Sequence, residues 1–270
     1  MKRISIILVG VVVVVLAAGA VVLKTRPHTP PAAQNAPAGS GTRPAAVTIQ
    51  LPHASPINAL VEDYEALGST WLLVSKTHPL SDPHYQPIDL KLPSDVATNM
   101  KKSEEERKVR AIIASDTKVM FDSAAKAGIE LYVASGYRSY DLQNYYYSNY
   151  VKMSGEVEAN KFSAKPGQSE HQIGLAFDVS LQSNECYLET CFGDTAGGKW
   201  LAAHAHEYGF ILRYPADKTV VTGYQYEPWH FRYVGNDLAA ALYQSGLTLD
   251  EAEPYLKTAR TTLRDHAQIP

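Results

Sequence analysis

The stretch Ser-Glu-His-Gln-Ile-Gly-Leu-Ala-Phe-Asp, residues 169–178, decides how the rest of the sequence is interpreted. It contains an imidazole, His171, and a carboxylate, Asp178. A fully extended chain between them would span roughly 23 Å, so the two side chains can serve one site only if the chain turns. Gly174 can make such a turn at little cost, because glycine tolerates backbone conformations that other residues avoid. We therefore expect a turn at Gly174 followed by a strand over residues 175–181.

A second stretch, Glu-Pro-Trp-His at residues 227–230, adds another imidazole and another carboxylate. With the two side chains above, His230 would complete three ligands of a catalytic zinc ion and leave the fourth tetrahedral position for water. Glu227 would be the base for that water. Pro228 argues against a helix, so we expect a twisted strand or bulge within residues 226–234 to turn both side chains inward. This ligand set suits zinc but does not exclude other divalent ions.

Three motifs, taken in order, resemble those of a known family. They are Ser135-Gly136-Tyr137-Arg138-Ser139, then Ser169-x-His171-x-x-Gly174-x-Ala176-x-Asp178, then Glu227-x-Trp229-His230. The chain from about Leu72 to Leu256 is similar to the VanY-like D-alanyl-D-alanine carboxypeptidases. These are zinc peptidases of the bacterial cell wall that share a fold with the hedgehog signalling domain. The resemblance implies that His171, Asp178 and His230 bind Zn²⁺ and that Glu227 is the general base.

The resemblance also implies a role for Arg138, and the positions of Gln143, Ser169 and Trp229 near the motifs suggest further substrate-binding residues. Arg138 would bind the terminal carboxylate of a peptide or the polarised scissile carbonyl. Gln143 lies one turn into the following helix and would face the same cleft. Ser169 would donate a hydrogen bond to substrate or orient the site, and Trp229 would either line the pocket or pack in the core.

The function implied is that of a zinc carboxypeptidase that removes the C-terminal D-alanine from peptidoglycan stem peptides. Three alternatives stay open. One is an L,D-carboxypeptidase acting on tetrapeptide stems, and another is an endopeptidase that cuts cross-links. The third belongs to a different class, a non-catalytic wall-binding or signalling module on the same fold.

Charge and cysteine content indicate which binding partners are excluded and in which cellular compartment the protein would lie. The net charge is -3 and the pI is about 6.3, so the chain lacks the basic surface that nucleic acids require. Its two cysteines, Cys186 and Cys191, are close in sequence and lie in a loop-like stretch. Outside the cytoplasm they would form a small disulfide loop, and the alternative is two free thiols.

The N-terminus predicts export. Residues 4–23 form an uncharged apolar run about as long as a membrane-spanning helix, so residues 1–23 are expected to anchor the protein with an extracytoplasmic catalytic domain. A cleaved signal peptide is the alternative, because Ala18-Gly19-Ala20 is typical of a cleavage site. Residues 24–56, rich in Pro and Ala, are expected to be a flexible linker, and residues 57–270 the catalytic domain.

Strand and helix patterns mix without a regular βαβ rhythm, so we expect an α+β fold with a mostly antiparallel central sheet flanked by helices. Ser103 and Glu106 form a capping-box pattern that predicts the start of a helix. In that helix, Ile112, Val119 and Ala124 would form the buried face. The expected strands are residues 71–74, 129–134, 175–181, 210–214 and 226–234. The expected helices are residues 103–127, 140–153, 198–208, 236–245 and 248–257.

Overall fold

The computed structural model describes residues 46–60 and 64–257. The strands of these ranges are β1 (Ala46–Ile49), β2 (Ile57–Leu60), β3 (Leu90–Lys91), β4 (Val109–Arg110), β5 (Leu131–Ser135), β6 (Ala176–Leu181), β7 (Phe210–Leu212) and β8 (His230–Tyr233). The α-helices are α1 (Ala111–Lys126), α2 (Tyr140–Ser154), α3 (Glu156–Ala159), α4 (Ala196–His204), α5 (Thr219–Thr222) and α6 (Asn236–Ser245). Residues 249–257 are also helical.

The centre of the fold is a four-stranded sheet in the order β5-β6-β8-β7, and every neighbouring pair is antiparallel. Two small antiparallel pairs, β1-β2 and β3-β4, lie outside it. The α+β class and the antiparallel sheet are therefore confirmed. In β6, Phe177 and Val179 belong to the main apolar core. Because side chains alternate along a strand, Asp178 is directed to the opposite face, and this face carries the site.

Helix α1 covers the apolar face of the sheet but begins later than the sequence predicts. The capping box forms, since Ser103 Oγ accepts a hydrogen bond from the Glu106 amide at 3.3 Å and the Glu106 carboxylate accepts from Ser103. It opens only a single 3-10 turn, which strand β4 follows. The predicted helix start at Ser103 is therefore wrong. The predicted end is confirmed, because Gly128 follows the helix with φ 79°, a conformation that glycine adopts readily.

The predicted buried face of α1 is also wrong. Ile112 is 48% exposed and Val119 is 51% exposed, and only Ala124 is buried as expected. The buried positions repeat at the helical spacing of three and four residues. They are Ile113, Ala114, Thr117, Met120, Phe121 and Ala124. At two of the three predicted positions, the buried residue is the next one along the chain, Ile113 in place of Ile112 and Met120 in place of Val119.

Residues 71–74 form no strand, contrary to the prediction, although Trp71 is partly buried and the next three residues are buried. Two hydrogen bonds connect this irregular segment to β8 and the residue that follows it. The Trp71 indole donates to the Val234 carbonyl at 2.9 Å, and the Arg232 guanidinium donates to the Leu72 carbonyl at 2.8 Å. A guanidinium thus replaces the partner strand that a buried carbonyl would otherwise need.

The predicted linker boundary at Pro56 is wrong, because the folded part begins before it. Strand β1 precedes Pro56 and pairs with β2, which follows it. Ile49 and Leu51 are buried in a second apolar cluster that also contains residues of α6. These apolar side chains hold the segment on the domain. The predicted anchor and the linker up to residue 45 lie outside the described residues. Within residues 46–60 and 64–257, no helix is long and apolar enough to cross a membrane.

Two further helices begin at capping side chains. Ser139 Oγ accepts a hydrogen bond from the Leu142 amide at 3.3 Å and opens α2. Thr248 Oγ1 accepts from the Glu251 amide at 3.2 Å, while the Glu251 carboxylate accepts from the Thr248 amide at 2.8 Å. The second pair is a complete capping box.

Candidate metal centre and active-site cleft

Asp178 and His230 are brought together by the pairing of β6 with β8, in which they are direct cross-strand partners. Directly opposite residues of an antiparallel pair have Cβ atoms only about 5 Å apart. The His230 Nδ1 atom lies 3.2 Å from the Asp178 Oδ1 atom. The sheet register therefore creates half of the predicted site.

His171 arrives from the 3-10 turn Glu170–Ile173 that precedes β6. Gly174 ends this turn with φ 64°, and an added Cβ there would lie 2.9 Å from side-chain atoms of Leu90 and Arg110. The predicted turn at Gly174 is confirmed. The His171 Nδ1 atom lies 2.7 Å from the Gly136 carbonyl oxygen. A carbonyl only accepts, so Nδ1 carries the proton and Nε2 has the free lone pair.

The three predicted ligands face one another with the spacing that a tetrahedral metal requires. Asp178 Oδ1 lies 3.5 Å from His171 Nε2 and 3.2 Å from His230 Nδ1, and one ligand atom from each residue lies within 4.8 Å of the others. Tetrahedral ligands at about 2.0–2.1 Å from zinc are separated by roughly 3.4 Å. Asp178 Oδ1 is buried and has no hydrogen-bond partner among the described residues. The residues fit a divalent cation.

The charges of His171, Asp178 and His230 also favour a bound cation. Burial would raise the pKa of Asp178, but His171 and His230 overcome it and hold that pKa well below its usual range. Burial would lower the pKa of His230, yet the carboxylates of Asp178 and Glu170 raise it to about 9. Burial lowers the pKa of His171. Asp178 thus stays ionised, and a bound cation would balance its charge in place of the His230 proton.

Glu227 lies in a turn, and the predicted strand over residues 226–234 is wrong at its start. The His230 amide donates to the Glu227 carbonyl at 3.1 Å, closing the turn, and β8 begins only at His230. This turn places a Glu227 carboxylate oxygen 3.9 Å from His230 Nδ1. Burial raises the pKa of Glu227 to about 8. The positive charge of His230 opposes this rise, and the negative charge of Asp178 adds to it. A carboxylate of this kind accepts and releases a proton near neutral pH.

Arg138 lines the same cleft as the three ligands and Glu227. Its guanidinium donates to the Gln143 side-chain carbonyl at 2.8 Å and to Ser135 Oγ at 3.2 Å. Gln143 is 1% exposed and donates to the Ala164 carbonyl at 2.7 Å. Both ends of Gln143 are thus engaged by the protein. Gln143 lines the cleft as predicted, and its hydrogen bond orients Arg138.

The other two predicted binding residues border this cleft as well. Ser169 is buried, two residues before the first ligand, and Trp229 is half-buried and packs against the main core while lining the cleft. Both of the roles considered for Trp229 thus have a structural basis. The structure brings all predicted site residues to one place.

The cleft has a volume of about 270 Å³ and an aromatic wall, whose individual residues were not predicted from the sequence. The Tyr214 ring lies 4.9 Å from the His230 ring and 4.5 Å from the Tyr224 ring, measured between centroids. Further lining side chains are Lys102, Tyr146, Tyr150, Phe162 and Leu188. The abundance of tyrosine, 17 residues, indicated such walls without saying which residues form them.

Leu188 is carried to the cleft by a loop that a disulfide closes. Cys186 and Cys191 are bonded, as the sequence predicted, and Leu188 lies between them. Asn184, Cys186 and Leu188 all have positive φ values of 51–59°, an uncommon conformation for residues other than glycine. The cross-link restrains this loop beside the site.

A buried ion-pair network behind the metal centre was also missed. Glu170 accepts hydrogen bonds from Arg213 at 2.7 Å and from Arg232 at 2.8 Å, and Arg213 also pairs with Asp250. Both guanidiniums have no exposed side-chain area. The sequence held a signal, because Arg232 lies between aromatic residues in a predicted strand. A charged residue there must be paired if the strand is buried.

Comparison with known proteins gives a consistent result. The sequence model of the VanY family, described as D-alanyl-D-alanine carboxypeptidase, matches residues 106–236. The protein YodJ of Bacillus subtilis (strain 168) is 46% identical over 179 residues, which cover 66% of this chain and 65% of YodJ. The chain spans between 45% and 65% of the length of the first three curated relatives that it matches.

Two solved structures are similar to this chain over most of their length. The LD-carboxypeptidase LdcB is 45% identical with a TM-score of 0.63, covering 69% of this chain and 86% of LdcB. A variant of the vancomycin-resistance D,D-pentapeptidase VanY from a VanB-type cassette, in complex with Zn(II), is 31% identical with a TM-score of 0.56. That match covers 69% of this chain and 98% of the other.

Proposed function

This chain belongs to the VanY family of D-alanyl-D-alanine carboxypeptidases, and on that basis we propose that it is a zinc carboxypeptidase of the cell wall. Its substrate is a peptidoglycan stem peptide, from which it removes the C-terminal D-alanine. One observation carries the proposal. A single cleft contains three mutually facing metal ligands, the carboxylate of Glu227 and the guanidinium of Arg138.

Zinc is the proposed cofactor, held by His171 Nε2, one Asp178 oxygen and His230 Nδ1. Support comes from the ligand spacing given above and from the Zn(II) complex of the related D,D-pentapeptidase. When bound, zinc supplies a Lewis acid that polarises a carbonyl and lowers the pKa of a coordinated water to about 7.

Glu227 moves the proton. As a water molecule attacks the carbonyl carbon before the terminal residue, the Glu227 carboxylate accepts the proton that this water loses. The carbon–nitrogen bond then breaks, and Glu227 delivers the same proton to the departing amine. Atoms balance, because one water is consumed and its oxygen remains on the shortened peptide. A positioned base of this kind contributes about 10²–10⁴-fold to the rate.

Arg138 binds negative charge. Its position in the cleft suits either the terminal carboxylate of the peptide or the oxygen that becomes negative during attack. Gln143 and Ser135 fix its orientation through the hydrogen bonds given above. The rings of Tyr214 and Tyr224 form part of the cleft wall.

The test uses the full-length protein loaded with zinc and a pentapeptide stem, with release of D-alanine as the measurement. We expect turnover by the wild type and a loss of at least about 100-fold in kcat for Glu227→Gln. Glu104→Gln is the matched control, because Glu104 is an exposed carboxylate paired with Lys108, and its turnover should equal that of the wild type. Undiminished turnover in Glu227→Gln would remove Glu227 from its role. Zinc binding without any hydrolysis would favour the non-catalytic wall-binding module.

An L,D-carboxypeptidase acting on a tetrapeptide stem is the second candidate. It is favoured by one observation, the 45% identity and TM-score of 0.63 to LdcB. The two activities use the same ligands and base and differ in the residue before the scissile bond. Mass spectrometry of parallel pentapeptide and tetrapeptide digests separates them, since each activity shortens only its own substrate by one alanine.

We also propose that the catalytic domain lies outside the cytoplasm, tethered to the membrane by residues 1–23. The apolar run at residues 4–23 supports the anchor, and the Cys186–Cys191 disulfide supports an oxidising compartment. Digestion of intact cells or spheroplasts with an external protease should remove the domain. A domain that stays protected until the cells are lysed would contradict this location.

A further inference from the structure

Glu170 is a carboxylate without solvent contact whose two oxygens have different environments. Oε1 accepts hydrogen bonds from Arg213 Nε at 2.7 Å and from Arg232 Nη1 at 2.8 Å. An isolated buried carboxylate would be too costly to keep ionised. The two guanidiniums offset that cost, and the pairing of Arg213 with Asp250 brings the group of four to a net charge of zero.

The second oxygen of Glu170 faces the metal centre. Oε2 is buried and makes no hydrogen bond by distance and angle within the described part of the chain. It lies 3.5 Å from His230 Nε2, a buried atom that likewise has no hydrogen-bond partner there. The other ring nitrogen, Nδ1, faces Asp178 Oδ1 at 3.2 Å. The His230 ring therefore lies between Glu170 and the ligand cluster.

We infer that Glu170 is a positioning residue of the metal centre, which accepts the Nε2–H of His230 and directs its Nδ1 to the metal. The inference rests on the zinc site of the proposed function. An imidazole that binds a metal through one nitrogen carries its proton on the other, and a partner for that proton fixes the tautomer and the ring orientation. A carboxylate partner also makes the ring a stronger ligand.

The two histidine ligands are thus held in opposite ways. His171 gives its Nδ1–H to the Gly136 carbonyl at 2.7 Å and offers Nε2 to the metal. His230 gives its Nε2–H to Glu170 and offers Nδ1. The partner of His171, on the turn, is a neutral carbonyl, whereas the partner of His230, on β8, is a charged carboxylate. Arg213 and Arg232 act through Glu170, because they keep it ionised and immobile.

The experiment compares zinc affinity in the full-length wild type, Glu170→Gln and Asp250→Asn by competition with a chromophoric chelator. Asp250→Asn is the matched control, because it perturbs the same ion-pair network without touching His230. We expect Glu170→Gln to bind zinc about 10- to 100-fold more weakly and Asp250→Asn to bind it as the wild type does. Urea unfolding of both variants without metal separates this effect from a general loss of stability.

A second measurement needs no variant. Nitrogen-15 NMR of histidine-labelled, zinc-loaded wild type should show His230 protonated at Nε2 and coordinated through Nδ1. Coordination through Nε2, or an unchanged zinc affinity in Glu170→Gln, would overturn the inference while leaving the proposed function intact. Failure of the wild type to bind zinc would overturn both.

Discussion

Replacing Gln143 tests whether the orientation of Arg138 matters for catalysis. Gln143 makes two strong contacts, an accepted hydrogen bond from Arg138 at 2.8 Å and a donated one to the Ala164 carbonyl at 2.7 Å. Gln143→Met has nearly the same volume and removes both. Gln143→Glu keeps an acceptor for Arg138, removes the donor to Ala164 and adds a negative charge beside the guanidinium. The comparison of the two variants therefore tests whether Arg138 needs an acceptor at this position.

The magnitude follows from the kind of hydrogen bond. A bond to a charged group contributes about 1.5–3 kcal/mol and a neutral one about 0.5–1.5 kcal/mol. If the Arg138 contact acts in the transition state, its loss lowers kcat/KM by about 10- to 150-fold, at 1.36 kcal/mol for each factor of ten. We expect that loss in Gln143→Met and a much smaller one in Gln143→Glu. Both variants should lose stability through the Ala164 carbonyl.

The assays are release of D-alanine under kcat/KM conditions and urea unfolding monitored by circular dichroism. The reasoning is refuted if Gln143→Met keeps wild-type kcat/KM while losing stability, because Gln143 would then only fill space. It is also refuted if the two variants lose activity equally, since the retained acceptor in Gln143→Glu would have no effect.

Four further outcomes are expected. Gly136→Ala should lose at least about 1–3 kcal/mol of unfolding free energy in urea titrations, because the added Cβ would lie 2.3 Å from the Lys108 carbonyl oxygen. Reduction, or the double change Cys186→Ser and Cys191→Ser, should cost about 2 kcal/mol by the entropy of so short a loop, measured as a lower Tm. The pKa of Glu106 is lowered to about 2, because Lys102, Tyr146 and Ser103 overcome its burial. The stability deficit of Glu106→Gln, measured by urea unfolding at a series of pH values, should therefore be full above pH 4.5 and shrink as the pH falls towards 2. Free zinc at 100 times its Kd should raise the unfolding free energy by about 2.7 kcal/mol, and a chelator should abolish that gain.

The metal ligands could be predicted from the sequence because each lies in a motif that contains a glycine or a proline, which indicates the local backbone conformation. A glycine between His171 and Asp178 had to turn the chain, and the structure has that turn. Proline before His230 excluded a helix, and β8 follows. The position of Glu227 was harder to predict, because a turn and a twisted strand both bring a residue near another three positions later. Only the hydrogen bond from the His230 amide to the Glu227 carbonyl distinguishes them.

The failures were of two physical kinds. Local patterns do not state where an element begins, so the Ser103 capping box was extended into a helix that starts only at Ala111. Long-range partners are also absent from a linear sequence. Nothing near Glu170 in the chain indicates that it pairs with Arg213 and Arg232. Likewise, nothing near Leu72 indicates that its carbonyl accepts a hydrogen bond from a guanidinium and not from a neighbouring strand.

The pairing of β6 with β8 has a consequence for insertions and deletions. Asp178 opposes His230 while Phe177 opposes Phe231, so a shift by one residue would exchange a ligand for a phenylalanine and turn the ligand towards the apolar core. Length changes in the surface loops between these strands leave the register intact. A single residue added to or deleted from either strand should therefore abolish metal binding, whereas the same change in a surface loop should leave it intact.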